Sequence, residues 1–103
     1  LFKETCLIDW NQPVQQIHNL VRGLAPVPTA FTSLEDKQLK IFRSDINTGH
    51  TGKPAGTVES DGKTYIRFAG QDGWLYALEV QYEGKKRMPV ADFLRGYRFT
   101  PNT

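Results

Sequence analysis

Two histidines and one cysteine are the side chains in this sequence that could support metal binding or nucleophilic catalysis near neutral pH. A metal site needs three or four ligands at defined spacings, and Cys6, His18 and His50 follow no such pattern. A cysteine nucleophile needs a histidine base, whereas Cys6 lies between Thr5 and Leu7 in a segment expected to be extended. We therefore expect no metal site, and a buried or incidental thiol at Cys6.

The remaining candidates for chemistry do not predict a catalytic site either. Glu35 and Asp36 are adjacent carboxylates, but they stand in a predicted turn, where water solvates them. Gly49, Gly52 and Gly56 fall in a loop before a strand, whereas a phosphate-cradling glycine loop leads into a helix. We expect no catalytic residue in this chain and no cofactor bound by it.

The basic residues favour a nucleic-acid partner instead. The net charge is only +2, but from Lys37 onward eleven basic residues stand against seven acidic ones. The densest run is Lys85-Lys86-Arg87, and such a segment can contact phosphate oxygens. The alternative is a solvated surface turn. The candidate phosphate contacts, strongest first, are Lys85, Lys86, Arg87, Arg95, Arg98, Arg43, Lys40 and Arg67.

The positions of these residues depend first on a helix near the start of the chain. Pro13 suits a first helical turn, with Asn11 or Gln12 as the cap. Gly23 and Pro26 end the pattern. Its apolar stripe, at spacings of three and four, consists of Val14, Ile17, Leu20, Val21 and Leu24. This helix has one face to bury and must pack against another element.

Short strands are predicted to form that element. The β-prone runs are residues 30–34, 38–46, 56–60, 63–68 and 74–82. The last run alternates, which predicts Trp74, Tyr76, Leu78 and Val80 on one face. Glu35-Asp36-Lys37 and Asp61-Gly62 are the predicted hairpin turns, the second being the stronger.

The end of the chain is predicted to form a second, short helix over residues 89–95, with Gly96 as its stop. Short strands joined by tight turns indicate a closed or nearly closed barrel, because closure removes exposed edges. A small sandwich is the competing architecture. The predicted fold is therefore mostly β: a small barrel of five or six short strands with a helix at each end.

Three separated stretches are specific enough to indicate a family. They are IDWNQPVQQIHNLVRGLAPVP followed by TAFTSL at 8–34, GKPAGTV at 52–58, and EGKKRM at 83–88 with ADFLRG at 91–96. Together, in this order and over nearly the whole chain, they resemble the C-terminal domain of the methionyl-tRNA formyltransferases. Two positions depart from that family's pattern: Thr29 stands where glycine is frequent, and Pro89 where serine commonly caps the last helix.

The resemblance implies a parent enzyme that moves a formyl group from formyl-tetrahydrofolate to the methionine amino group of initiator methionyl-tRNA. Its catalytic asparagine, histidine and aspartate belong to a Rossmann-like N-terminal catalytic domain that this chain does not contain. The chain, as a C-terminal domain over residues 1–103, is implied to be an OB-fold-like barrel that helps hold the tRNA. We expect it to be monomeric and inactive in formyl transfer on its own.

Two alternatives remain open from the sequence. One is the related barrel of a formyltransferase with a non-tRNA substrate, such as a sugar nucleotide. The other is a purely structural module that packs on a catalytic neighbour through exposed aromatics such as Trp10 or Trp74. The basic EGKKRM and DFLRG stretches favour the tRNA enzyme over the first of these.

The compartment follows from what the sequence lacks. A single cysteine allows no internal disulfide, and no apolar run approaches the ~18 residues of a membrane span. The first eight residues do not follow the plan of a signal peptide. We expect a cytoplasmic protein without a membrane partner and, since the chain begins at Leu1 rather than methionine, a piece of a longer protein.

Overall fold

The computed structural model describes residues 6–25 and 27–97. Its helices are α1 (Val14–Leu24) and α2 (Val90–Gly96). Its strands are β1 (Ala30–Leu34), β2 (Lys37–Thr48), β3 (Val58–Ser60), β4 (Ile66–Ala69), β5 (Gly73–Tyr82) and β6 (Met88–Pro89). The predicted order of helix, short strands and short helix is confirmed. Pro26 and Arg98 lie outside the described residues.

The strands form one curled antiparallel sheet in the order β1-β2-β5-β4-β3, and β6 pairs with the end of β5. Strands β1 to β5 curl into a half-barrel, and α1 packs against β1, β2 and β5. The predicted mostly-β barrel with two helices is confirmed in this form. Within the described residues, neither helix is long and apolar enough to cross a bilayer.

The apolar stripe of α1 supplies one side of the core. Val14, Ile17 and Val21 are fully buried, whereas Leu20 and Leu24 are half-buried at the margin. The predicted cap at Asn11 or Gln12 is wrong. Pro13 occupies the N-cap position, where it makes no side-chain cap hydrogen bond, and the first helical N–H is bound by a residue distant in sequence.

The pairing of β5 with β2 changes register between Ile41 and Ser44, where each strand carries one extra residue. This bulge moves the core face of β5 from odd to even positions. The core side chains of β5 are accordingly Leu75, Ala77, Val80 and Tyr82. The predicted common face for Trp74, Tyr76, Leu78 and Val80 is therefore wrong: Val80 lies in the core, and Tyr76 lies on the opposite face.

The two predicted hairpin turns have different outcomes. Between β1 and β2, Glu35 (φ 50°) and Asp36 (φ 74°) form a two-residue turn, with Lys37 already paired to Leu34. Between β3 and β4 the two-residue Asp61-Gly62 turn is wrong, because the loop covers residues 61–65. The Asp61 carboxylate accepts the backbone N–H groups of the three residues from 63 to 65, which stabilises the longer loop.

Trp10 bridges the two sides of the curled sheet. Its ring stacks on Phe68 of β4 at 4.6 Å, and its Nε1 donates a 2.9 Å hydrogen bond to the Thr32 hydroxyl of β1. Trp74 is only 9% exposed. The alternative in which these two tryptophans are exposed docking aromatics is wrong for Trp74, which the Arg67 guanidinium covers. Trp10 is half-buried, with its ring packed against the core.

The two departures from the family pattern have distinct backbone settings. Thr29 has φ 77°, the left-handed region that favours glycine and strains a β-branched residue. Its N–H donates to the Leu24 carbonyl at 3.0 Å and so joins the end of α1 to the start of β1. Pro89 precedes α2 with φ −60° and no side-chain cap bond, so it replaces a cap by a preset backbone angle.

Candidate nucleic-acid interface

Strand register places three of the predicted phosphate contacts on one surface. We define the outer face as the face of the sheet that turns away from α1 and the core. Lys40 stands opposite Gln81 and Arg43 opposite Glu79 on this face. Arg67 of β4 stands opposite Tyr76 on the same face.

Arg87 reaches the outer face from the β5–β6 turn, but its charge is already paired. Its Nε and Nη2 lie 3.0 Å and 3.1 Å from the two carboxylate oxygens of Glu79. Its guanidinium also lies over the Phe42 ring, with Cζ 4.1 Å from the ring centroid. The Arg87 hydrogen bond lowers the pKa of Glu79 and raises the pKa of Arg87 itself. Both charges of this pair are therefore retained at neutral pH and balance each other.

Lys85 and Lys86 present unpaired charges from the same turn. Gly84 adopts φ 87° at its tip. The Lys85 N–H donates to the Tyr82 carbonyl, and the Gln81 amide donates to the Lys85 carbonyl. Both lysines are exposed. Across residues 6–25 and 27–97, neither ammonium lies within 4.0 Å of a carboxylate.

Lys40 lines a polar groove beside this turn. The groove has a volume of about 190 Å³, and its other lining residues are Gln38, Gln81, Tyr82, Glu83 and Gly84. The Glu83 carboxylate is held by the Gln38 backbone N–H at 3.0 Å, which anchors it to β2. Lys40 and Arg43 form no ion pair with any carboxylate in the part of the chain that the structure describes.

Arg67, in contrast, is fixed by several partners. Its Nε and Nη2 bind one carboxylate oxygen of Glu59 at 3.1 Å and 2.5 Å, and its Nη1 donates to the Tyr76 hydroxyl at 3.0 Å. The guanidinium carbon lies 4.0 Å from the centroid of Trp74. Glu59 also pairs with Lys53 at 3.7 Å. These contacts leave Arg67 little freedom to meet a phosphate.

Arg95 is separate from the strand residues. It lies on α2, is paired with Asp92 one turn before it, and keeps 73% of its side chain exposed. Arg98 lies outside the described residues. The structure therefore brings together Lys40, Arg43, Lys85, Lys86 and Arg87. It places Arg67 on the same face but two strands away, on β4, and Arg95 on α2.

The sequence analysis missed the residues that decide which cations are paired. Glu79 and Phe42 hold Arg87, and Glu59 with the aromatic residues of β5 holds Arg67. A cross-strand charge pair gives no periodic pattern in the sequence, and the bulge hides which side chains share a face. Only the alternation of charged and aromatic residues in 65–67 and 74–76 could have pointed to such contacts.

The other candidates for chemistry stay apart from this surface. His18 is half-buried on α1, where its Nδ1 lies 2.7 Å from the Ser44 hydroxyl, and His50 is exposed in the loop after β2. Cys6 is only 4% exposed, which confirms the predicted burial of its thiol. Among the described residues, no three histidine, cysteine or acidic side chains come together as a metal site.

Comparison with known proteins then assigns the family. The sequence model described as "Formyl transferase, C-terminal domain" matches residues 1–98. The chain belongs to this family. Within it, a methionyl-tRNA formyltransferase from Phocaeicola vulgatus is 45% identical over 99% of the chain and 33% of that protein. The corresponding protein of Chlorobium chlorochromatii is 50% identical over 86% of the chain and 29% of that protein.

The formyl transferase C-terminal domain thus spans about a third of the length of these relatives. The methionyl-tRNA formyltransferase of Parabacteroides distasonis gives the same result, at 45% identity over 95% of the chain and 32% of that protein. Among solved structures, a variant of HypX from Aquifex aeolicus superposes with a TM-score of 0.68. It is 20% identical and is matched over 99% of this chain and 19% of that one, which shows a common fold.

Proposed function

We propose that this chain is the part of a methionyl-tRNA formyltransferase that holds initiator methionyl-tRNA. An N-terminal catalytic domain would then transfer the formyl group from formyl-tetrahydrofolate to the methionine amino group. Relatives at 42–50% identity that carry this enzyme's name support the assignment. The setting that goes with this role is translation initiation in the cytoplasm.

One observation carries the binding role: four cations without ion-pair partners among the described residues lie on one continuous surface. We call it the cation surface, and its members are Lys40, Arg43, Lys85 and Lys86. An unpaired cation can release a counterion from a phosphate without first breaking a protein contact. The paired Arg87 lies among them as a neutral unit with Glu79.

Contacts on the cation surface would serve to position the bound nucleic acid. Contacts to phosphate oxygens fix the place and orientation of a nucleic acid but carry little sequence information. This domain would therefore orient the tRNA for the catalytic domain, and selection of the initiator tRNA would depend on contacts elsewhere. Binding energy of this kind is the same in the ground state and the transition state, so it acts on KM more than on kcat.

A charge-matched pair of variants tests this proposal. Lys85→Gln/Lys86→Gln removes two charges from the cation surface, and Arg22→Gln/Lys63→Gln removes two exposed charges from α1 and the β3–β4 loop. Filter binding of initiator tRNA at several salt concentrations gives the affinity and its salt slope. We expect the first variant to bind more weakly and to flatten the slope by about 0.7–0.9 units per lost contact.

The control variant should keep the wild-type slope because its charges lie outside the cation surface. Equal effects of the two variants would show that only the net charge matters, and the proposed site would be wrong. An elongator tRNA should lose affinity by a similar factor, since phosphate contacts do not read sequence.

A further inference from the structure

A second feature of the outer face is a group of rings around one guanidinium. The Arg67 Cζ lies 4.0 Å from the centroid of Trp74, 5.6 Å from that of Tyr65 and 5.9 Å from that of Tyr76. The two tyrosine rings meet edge to face, with centroids 5.8 Å apart. We call these four residues the aromatic platform.

The platform is held rigidly by hydrogen bonds. Glu59 binds the Nε and Nη2 edge of Arg67, and the Tyr76 hydroxyl accepts from Nη1. Arg67 and Tyr76 are direct partners in the β4–β5 ladder, so the backbone also fixes their separation. A ligand that stacks here would order few side chains on binding, which lowers the entropic cost of association.

Arg67 forms the outer layer of the platform. Trp74 is 9% exposed beneath it, whereas a quarter of the Arg67 side chain remains accessible. One face of the planar guanidinium is therefore covered by an indole ring, and the accessible part is directed to solvent. Unpaired nucleobases stack on guanidinium planes and aromatic rings of this kind.

The local charge balance favours a base over a phosphate at this place. Two positive charges, those of Arg67 and Lys53, both contact the Glu59 carboxylate. A second negative charge comes from Asp45, which stands opposite Tyr76 in the neighbouring strand. The platform region is thus close to neutral. The cation surface begins at Arg43 on β2, which stands opposite Glu79, three residues along β5 from the Tyr76 partner of Arg67. It therefore begins about 10 Å across the strands and about 10 Å along them from Arg67. A short stretch of nucleotides can span both areas.

From this arrangement we infer that the aromatic platform stacks an unpaired nucleobase of an RNA whose neighbouring phosphates lie on the cation surface. The inference rests on the proposed function and adds to it the single-stranded character of the RNA segment that the outer face takes. In this arrangement Arg67 contacts the base through the flat face of its guanidinium, while its charge is balanced by Glu59.

The test compares a single-stranded oligoribonucleotide of about ten nucleotides with a duplex of the same length, both bound to the 103-residue chain. Arg67→Lys keeps the charge but loses the plane. We expect it to weaken single-strand binding by about 5- to 150-fold, the usual range for one stacked base, with an unchanged salt slope and unchanged duplex affinity. Arg22→Lys, a matched control at an exposed arginine of α1 outside both surfaces, should change neither affinity.

A second variant guards against a change in folding. Tyr65→Leu leaves the Arg67–Glu59 pair in place and removes one ring, and it should also weaken single-strand binding selectively. The inference is overturned if Arg67→Lys binds the single strand like wild type, or if it loses equal affinity for strand and duplex. Failure of the proposed function looks different, because RNA binding would then be insensitive to Lys85→Gln/Lys86→Gln as well.

Discussion

The carboxylate of Asp72 accepts a 2.9 Å hydrogen bond from the backbone N–H of Val14, the first residue of α1. Asp72 lies in the turn between β4 and β5, 58 positions along the chain. The same turn donates the Gln71 N–H to the Gln12 carbonyl at 2.8 Å. A Cβ on Gly70 would lie only 2.5 Å from the Val14 side chain, so glycine permits this close approach. The turn therefore fixes the start of α1 against the sheet.

Asp72→Ala should lower the free energy of unfolding by about 1 kcal/mol, the usual cost of losing an N-cap side chain. The loss includes the favourable interaction of a carboxylate with the helix N-terminus. Urea denaturation at neutral pH measures it, with Asn11→Ala as the control. Asn11 is the cap that local sequence favours, yet among the described residues its side chain makes no hydrogen bond, so its replacement should cost little. Equal costs for the two variants would contradict this assignment.

The cap shows what could be predicted from the sequence and what could not. Pro13 and the apolar stripe determine the helix, because both signals are local and the buried face repeats every three or four residues. The observed cap, in contrast, is a tertiary contact made by Asp72. Asn11 has a suitable side chain for capping, but Asp72 reaches the helix only after the β4–β5 turn has packed on it, and no local rule contains that contact.

Ile17→Ala should cost about 2–5 kcal/mol, because the side chain is fully buried between α1 and the sheet and leaves a cavity when truncated. Leu20→Ala, one turn further along the same stripe, should cost less because Leu20 is only half-buried. Thermal unfolding of the two variants gives the order. The sequence predicted both residues in the stripe, but their different burial depends on how far the curled sheet covers the helix. A larger loss in Leu20→Ala would mean that α1 is rotated relative to this packing.

At the candidate interface, too, the sequence shows neighbours in the chain but not tertiary contacts. The sequence alone shows that the three basic residues of the β5–β6 turn lie together, since they are adjacent in the chain. It ranked Arg87 with Lys85 and Lys86 because charge type is all that a sequence shows. The structure separates them, since Glu79 lies across the strand from Arg43 and binds Arg87. Whether a cation has a partner is a property of strand register, and here the register is changed by a bulge.

The Arg87–Glu79 pair should make stability depend on acid pH. The hydrogen bond from Arg87 lowers the pKa of Glu79 below the ordinary glutamate value of 4.5. A carboxyl group with a lowered folded-state pKa contributes stability that is present above its unfolded pKa and is lost as the pH falls through the folded one. A double-mutant cycle with Glu79→Gln and Arg87→Gln should therefore give a favourable coupling at neutral pH that disappears well below pH 4.5. The coupling should be small because the pair is partly exposed, and a coupling that persisted unchanged in acid would show that it does not depend on the Glu79 charge.

The same two variants test whether a balanced charge pair contributes nothing to the affinity for tRNA. Glu79→Gln releases Arg87 and removes a carboxylate from the middle of the cation surface, so initiator tRNA should bind more tightly and with a steeper salt dependence. Arg87→Gln should weaken binding, because the unpaired Glu79 carboxylate then faces the phosphates and attracts Arg43 across the strand. The double variant should return close to wild-type affinity, since it removes one charge of each sign. If Arg87 contacts a phosphate directly in spite of its partner, the double variant will instead stay as weak as Arg87→Gln alone. Filter binding at low and high salt distinguishes these results, and the restored affinity of the double variant is the outcome that the paired geometry requires.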